Sequence, residues 1–324
     1  MKTIELHSWL SEQIGRFIEL RRLSGTDYSS QTRLLEYFDR FLAEQYPDGS
    51  FITRHIIDHY LESLSHLRPR VLFNCFCVVR QLCRHIVQTE PHCHVPEPMR
   101  CVAASKVFHP YIFSEQEIEG LLSAASALPP PKSLRPHTYR TLFGLLYTTG
   151  IRIGKAFSLA LMDFYSERDL LYIAEGKFKK ARWLTLHPST SRMLNQYIEL
   201  RLRNSPKTPD SPLFINMRDH RLRHCIVYAT FRQLLEKCGI VHNKHTGPRI
   251  HDLRHTFAVH RLLAWYKNKQ DINAGLPALA TYMGHVNVCS THIYLHPTAE
   301  LLEHVNNRFH NHYLQNLKAR GGIS

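Results

Sequence analysis

Acidic residues are scarce in this 324-residue chain. Its 27 Asp and Glu stand against 41 Lys and Arg, a formal net charge of +14. That deficit favours polyanionic partners, above all nucleic acid. Long apolar runs are missing too. None nears the roughly 20 residues that span a bilayer, which excludes a transmembrane protein and a membrane partner. The N-terminus, MKTIELHSWLSEQIGRF, has Glu5 and Glu12 within an amphipathic pattern. It lacks the apolar block and small-residue cleavage site of a signal peptide. The eight cysteines include no CxxC pair. Cys75, Cys77 and Cys83 lie in one helical pattern, VLFNCFCVVRQLC, where cysteine acts as a small apolar residue. PHCHVPEPMRC has only a faint metal-ligand look, through His92, Cys93 and His94. A disulfide framework is not indicated, and a reduced cytoplasmic setting is expected. Internal repeats and low-complexity tracts are also lacking.

What is present is a chain with 44% hydrophobic residues, long enough for two domains. The expected division falls near residue 105. Residues 1 to about 90 show four helical patterns: Leu10, Ile14, Phe17 and Ile18; Leu34, Phe38, Phe41 and Leu42; TRHIIDHYLESLSHL; and Leu72, Phe76, Val79 and Cys83. TEPHCHVPEPMRCVAASKVFHP is rich in proline, short of periodicity and reads as a linker from about residue 90. Arg68, Arg70, Arg80 and Arg84 could line a DNA-facing side of the small domain, or an ordinary solvated face.

The second domain, 106–324, opens with FSEQEIEGLL, where Ser114 and Glu117 predict a capping box. A buried helix, TYRTLFGLLYTTG, is expected to end at Gly150. LLYIAEGKFKKARWLTL changes period and predicts two short strands around a basic turn. Helices resume from Ser189, PALATYM is expected to end at Gly284, and an amphipathic tail helix is expected from about residue 298. The fold class is mostly α with a small antiparallel β-sheet in this second domain.

The segment IHDLRHTFAVHRLL poses the chemical question: a zinc site or a phosphate grip. His251 and His255 stand at i and i+4, the spacing of a zinc hydrolase helix. Asp252, however, fills the place of that helix's glutamate base, and its shorter carboxylate would not reach the same water. Arg254 lies between the histidines, and a guanidinium beside a divalent metal is unfavourable. The same arginine can grip a phosphate with two parallel hydrogen bonds. His260 falls off the shared face. Leu253, Phe257, Val259, Leu262, Leu263 and Tyr266 are expected to anchor the helix. The phosphate reading is therefore preferred, with a metal-dependent nuclease on His251 and His255 as its rival. Further polar residues stand elsewhere: Arg152 in TTGIRIG, Lys177 in EGKFKKAR, and His285 and Tyr294 in MGHVNVCSTHIYLH.

The ordered set Arg152, Lys177, His251-x-x-Arg254, Gly284-His285 and Tyr294 resembles the tyrosine recombinase (phage integrase) family of site-specific DNA recombinases. The resemblance covers about Phe113 to Pro297, and residues 1–105 look like the family's core-binding domain. It implies two domains forming a clamp around double-stranded DNA, and strand cleavage with rejoining through a 3′-phosphotyrosyl link on Tyr294. His251 would accept the tyrosine proton and Arg152 and Arg254 would hold the non-bridging oxygens. His285 would add a hydrogen bond, and Lys177 would protonate the leaving oxygen. No metal, ATP or other cofactor is implied. A homotetramer on DNA, or a hetero-tetramer with related recombinases, is expected, with the tail helix exchanged between subunits in preference to docking on its own domain. One departure stands out: Lys155 occupies a place usually held by Glu or Asp. It leaves open a catalytically impaired DNA-binding homologue. The connection from Arg254 to His285 is longer than in many members, by about two helical turns (WYKNKQDINAG). That points to the recombinases of mobile elements and to transposition.

Overall fold

The computed structural model describes residues 5–25, 28–99, 110–174, 181–203, 205, 208–241, 247–268 and 270–284. These fall into two compact units, one ending before residue 109 and the other following it. Among the described residues no helix is long and apolar enough to cross a membrane.

The first unit is built of helices α1 (Ser11–Leu23), α2 (Ser29–Gln45), α3 (Arg54–Ser63) and α4 (Pro69–Ile86). The starts of α3 and α4 are set locally. Thr53 accepts a hydrogen bond from the Ile56 amide at 3.2 Å, and Pro69 opens α4 where its missing N–H costs nothing. Ile14, Phe17, Leu35, Phe38, Leu42, Val79, Leu82 and Cys83 share one core. The α2 stripe is turned slightly from the expected one. Leu35 is sealed, while Leu34 and Phe41 lie at the core's edge. Asp39, also sealed, accepts from the amides of His7 at 2.7 Å and Ser8 at 3.2 Å, tying the start of the chain to α2.

The segment expected as a free linker is pinned to this unit through residue 96. Cys93 is buried in the core, the His94 amide donates to the Ile52 carbonyl at 2.8 Å, and Arg80 Nε donates to the Pro96 carbonyl at 2.7 Å. Of the four arginines expected on one face, Arg68, Arg70 and Arg84 are exposed, whereas Arg80 is half-buried and spends a donor on this tether.

The second unit contains α5 (Glu115–Ser126), α6 (Leu134–Thr149), α7 (Ile153–Ser158), β1 (Phe164–Tyr165), β2 (Leu170–Ile173), β3 (Arg182–Thr185), α8 (Pro188–Leu202), α9 (His224–Lys237), α10 (Asp252–Lys267) and α11 (Ile272–Met283). The capping box forms as expected: the Ser114 hydroxyl accepts from the Glu117 amide and the Glu117 carboxylate accepts from the Ser114 amide. Helix α6 is buried on most sides and packs against α5, α8 and α10. Leu142, Phe143 and Leu145 are fully buried there, each contributing about 1.5–3 kcal/mol.

The three strands run in the order β1-β2-β3, antiparallel throughout, with Ile173 opposite Arg182 and Leu171 opposite Leu184. Leu171, Ile173 and Leu184 face the core. The basic turn expected between the two strands of LLYIAEGKFKKARWLTL lies outside the described residues. Helix α11 begins five residues before the expected PALATYM and carries Pro277 internally. Much of WYKNKQDINAG is thus helix, divided between the end of α10 and the start of α11. Trp265 packs there with Leu276, Leu279 and Met283.

Candidate active site

Four pieces of the second unit meet at the C-terminus of α11. The first is the α6–α7 junction. Gly150 ends α6 in the left-handed conformation, φ 62°, and a Cβ at that position would run into the Phe257 ring. Only glycine meets both demands. The chain then turns extended at Arg152, the residue capping α7. Arg152 is exposed, and its Nη1 donates to the Gly284 carbonyl at 3.2 Å.

The second piece is α10. His251 caps its start, and Arg254 lies one turn in, only 2% exposed. Arg254 Nη1 donates to the Gly150 carbonyl and, at 3.0 Å, to the Met283 carbonyl. Burying a guanidinium is costly unless its N–H groups find acceptors, and these carbonyls supply them. The helix is anchored as expected by Leu253, Phe257, Val259, Leu262 and Leu263, with Tyr266 beside the last of these.

The third piece is β3, whose first residue the sequence reading missed. Arg182 is half-buried. Its Nε donates to the Tyr282 carbonyl at 3.0 Å and its Nη2 to the Met283 carbonyl at 3.1 Å. Its signal was its parity with Leu184. An arginine two residues before a buried leucine on the same strand face points inward and needs acceptors.

Helix α11 is the fourth piece. Its last carbonyls, those of Tyr282 and Met283, and that of Gly284 just beyond it accept from three arginines that come from α6–α7, β3 and α10. The negative end of a helix dipole favours such cations. Gly284, at φ 70°, ends the helix as expected.

Lys155 adds a fourth cation. Its Nζ donates to the Ala174 carbonyl at 3.0 Å, at the exit of β2. Burial, then Arg182 and Arg152, hold its pKa below the usual lysine value. The lysine that replaces the expected acid thus braces the end of a strand, an accommodation the sequence did not reveal.

The histidines behave differently from one another. The His251 and His255 rings meet edge to face at 5.1 Å between centroids. His255 is buried, and burial first, with neighbouring His251 next, pushes its pKa down to about 4. His251 is exposed at the helix start, yet crowding by surrounding atoms, followed by Arg254 and Arg249, lowers its pKa as well. Both are therefore neutral at pH 7. His260 lies apart, with Nδ1 3.0 Å from the Tyr147 hydroxyl.

Asp252, the position of a zinc hydrolase's base, is sealed from solvent. Its two oxygens accept from the Arg249 amide at 2.8 Å and from Arg249 Nη2 at 2.9 Å. Among the described residues no three His, Cys, Asp or Glu gather in a way that could hold a metal ion. Of the expected site residues, Arg152, His251 and Arg254 are brought together. Lys177, His285 and Tyr294 lie outside the described residues.

A mostly helical unit with a three-stranded sheet, carrying His-x-x-Arg and a second arginine on one helix end, defines the tyrosine recombinase class. Comparison with known proteins gives the same answer. The model of the phage integrase family matches residues 112–301. A protein of Sinorhizobium fredii named integrase/recombinase y4rB is 33% identical over 302 residues, 91% of this chain and 95% of its own length. The tyrosine recombinase XerD of Caulobacter vibrioides is 32% identical over 216 residues, 64% of this chain and 65% of its own. Among solved structures, a XerH site-specific recombinase bound to its palindromic difH substrate has the same fold, with TM-score 0.65, 17% identity and coverage of 92% of this chain and 95% of that one. So has a Tn1549 transposon integrase in complex with a circular intermediate DNA, with TM-score 0.66, 15% identity and coverage of 92% and 99%. This chain belongs to the phage integrase family.

Proposed function

We propose that this enzyme performs site-specific recombination by moving one DNA phosphodiester onto Tyr294 and back again. The Tyr294 oxygen attacks the scissile phosphorus, the bond to the deoxyribose 5′ oxygen breaks, and a 3′-phosphotyrosyl link forms. Tyrosine ordinarily titrates near pH 10, so its proton must leave as it attacks. His251, neutral at pH 7, accepts it. Lys177 gives a proton to the departing 5′ oxygen. Arg152 and Arg254 hold the non-bridging oxygens, where charge grows in the transition state, and His285 adds a hydrogen bond. A 5′ hydroxyl of another strand reverses the sequence. One phosphodiester bond is exchanged for another, so no ATP is required.

The observation that carries this reading is the meeting of Arg152 and Arg254, more than a hundred residues apart in sequence, on the successive carbonyls of Gly284 and Met283, next to His285 in the chain. Their partner is double-stranded DNA, gripped by the second unit as catalytic domain and the first as core-binding domain. We assign the chain beyond about residue 298 to exchange between the subunits of a tetramer, and read the long stretch from Arg254 to His285 as a mark of the mobile-element subgroup.

The test is covalent trapping. Nicked duplexes made from the DNA flanking the gene are mixed with the full chain in excess EDTA, denatured, and compared with Tyr294→Phe. A denaturation-resistant adduct that disappears in Tyr294→Phe is expected. Cleavage that requires a divalent metal would support a nuclease instead, and tight binding without any adduct would support an impaired homologue.

A further inference from the structure

We propose that Arg182 is a positioning residue for the recombination reaction: it fixes the C-terminus of α11 against β3 and so sets where the chain leaves toward His285. The inference rests on the recombinase reading for its consequence and on geometry for its substance.

Arg182 binds two successive carbonyls, Tyr282 at 3.0 Å through Nε and Met283 at 3.1 Å through Nη2. A guanidinium spans two acceptors with one rigid fork, which an ammonium does not. A second bond runs the opposite way, from the Tyr282 hydroxyl to the Thr185 carbonyl at 3.0 Å. Arg182 and Thr185 are the two ends of β3. The last turn of α11 is therefore fastened to the strand at both ends of that strand. The fit is close: a Cβ on Gly284 would run into the Arg182 guanidinium.

The attachment has consequences on both sides. Upstream, β3 follows the segment of the chain that contains Lys177. Downstream, Gly284 precedes His285 directly. The Met283 carbonyl is shared between Arg182 and Arg254, and the adjacent Gly284 carbonyl receives Arg152. Arg182 thus touches the same short stretch of backbone as Arg152 and Arg254, the two arginines proposed to hold the phosphate. A shift of about 1 Å in catalytic groups can cost a hundredfold in rate. Loss of the fork frees the Tyr282 carbonyl and leaves Met283 to Arg254, so a displacement of that order is expected.

The test uses Arg182→Lys and Arg182→Met in the full chain, with two readouts. Backbone hydrogen exchange over residues 281–284 reports the attachment itself. Both variants should exchange there at least tenfold faster than the parent, with α6 unchanged. Adduct formation on nicked duplexes reports the consequence. Arg182→Met should form adduct 10- to 100-fold more slowly while binding the same duplex within about threefold of the parent. Combined with His285→Ala, it should add less than about threefold further loss, because both act through the same position. Should Arg182→Met fold poorly, Tyr282→Phe removes the opposing bond alone and should reproduce the exchange effect more weakly. Unchanged exchange at residues 281–284 would overturn the inference. So would a loss of adduct that merely follows loss of folding or DNA binding, or one that multiplies fully with His285→Ala. If the parent chain forms no adduct at all, the recombinase mechanism fails, and the exchange measurement alone then decides whether Arg182 holds α11.

Discussion

Replacing Gly150 by alanine should destabilise the second unit by about 2–5 kcal/mol, and the figure follows from two separate features. The φ of 62° puts the new residue in the left-handed region, at about 1–2 kcal/mol for a residue with a Cβ. The new methyl also meets the Phe257 ring. That ring is 6% exposed and stacks on Tyr282 at 5.9 Å, so it has little room to withdraw. Overpacking of this kind costs about 1–3 kcal/mol. For a unit of this size the total corresponds to a fall in Tm of about 4–20 °C. Urea unfolding followed by circular dichroism would measure it. The double variant Gly150→Ala/Phe257→Leu separates the two causes, since leucine removes the ring edge but not the backbone strain. Measured against Phe257→Leu alone, it should leave only about 1–2 kcal/mol. A single-variant cost below about 0.5 kcal/mol would refute both the conformation and the close approach. The carbonyl of residue 150 also accepts from Arg254, so adduct formation should slow even where the variant remains folded.

Further predictions concern charge. Adduct formation should hold steady from about pH 7.5 down to about 6.5, the ordinary histidine value, and fall only below it. The reason is that His251 must be neutral to accept a proton and its pKa is depressed; a rate already halved at pH 7 would contradict that role. Stability should decline between pH 6.5 and about 4, because the unfolded chain protonates His255 while the folded one resists until about 4. The full effect is about 3 kcal/mol, and His255→Gln should flatten that part of the stability curve. Lys155→Glu would place a carboxylate beside Arg152 and Arg182 but lose the bond to Ala174, two effects of about 1 kcal/mol that oppose each other. A Tm within about 3 °C of the parent is expected, and a large loss of cleavage without loss of stability would make Lys155 a functional cation.

The features legible in the sequence are those that local chemistry decides. Ser114 and Glu117 form their capping box because both partners lie within one turn. Gly150 and Gly284 end their helices because the left-handed conformation there selects glycine. The anchoring side of α10 follows from the spacing of Leu253, Phe257 and Leu262. Features that depend on distant partners were harder to see. Arg182 is one more cation after a lysine-rich stretch until the end of α11, a hundred residues away, supplies its acceptors. Lys155 would add like charge near Arg152 unless it pointed to solvent or to DNA, and the Ala174 carbonyl that accepts from it is not visible in the sequence. Residues 90–96 lack any period, yet Cys93 and Pro96 are held by α4 and by contacts such as the bond from His94 to Ile52. Strand β1 has two residues, too few to leave an alternating pattern. Pro277 suggested a helix boundary, but α11 runs through it. The His-x-x-Arg pair was legible as chemistry, because Arg254 between two histidines disfavours a metal. Its burial against two backbone carbonyls was not.

The most direct test of the central claim is to map the covalent bond. Adduct formed on a nicked duplex would be digested with protease and nuclease and the modified peptide sequenced by mass spectrometry. The account predicts a nucleotide joined through its 3′ phosphate to Tyr294, on the peptide that contains STHIYLH. A nucleotide on any other residue, or a duplex cut with a free 3′ hydroxyl and no protein attached, would contradict it.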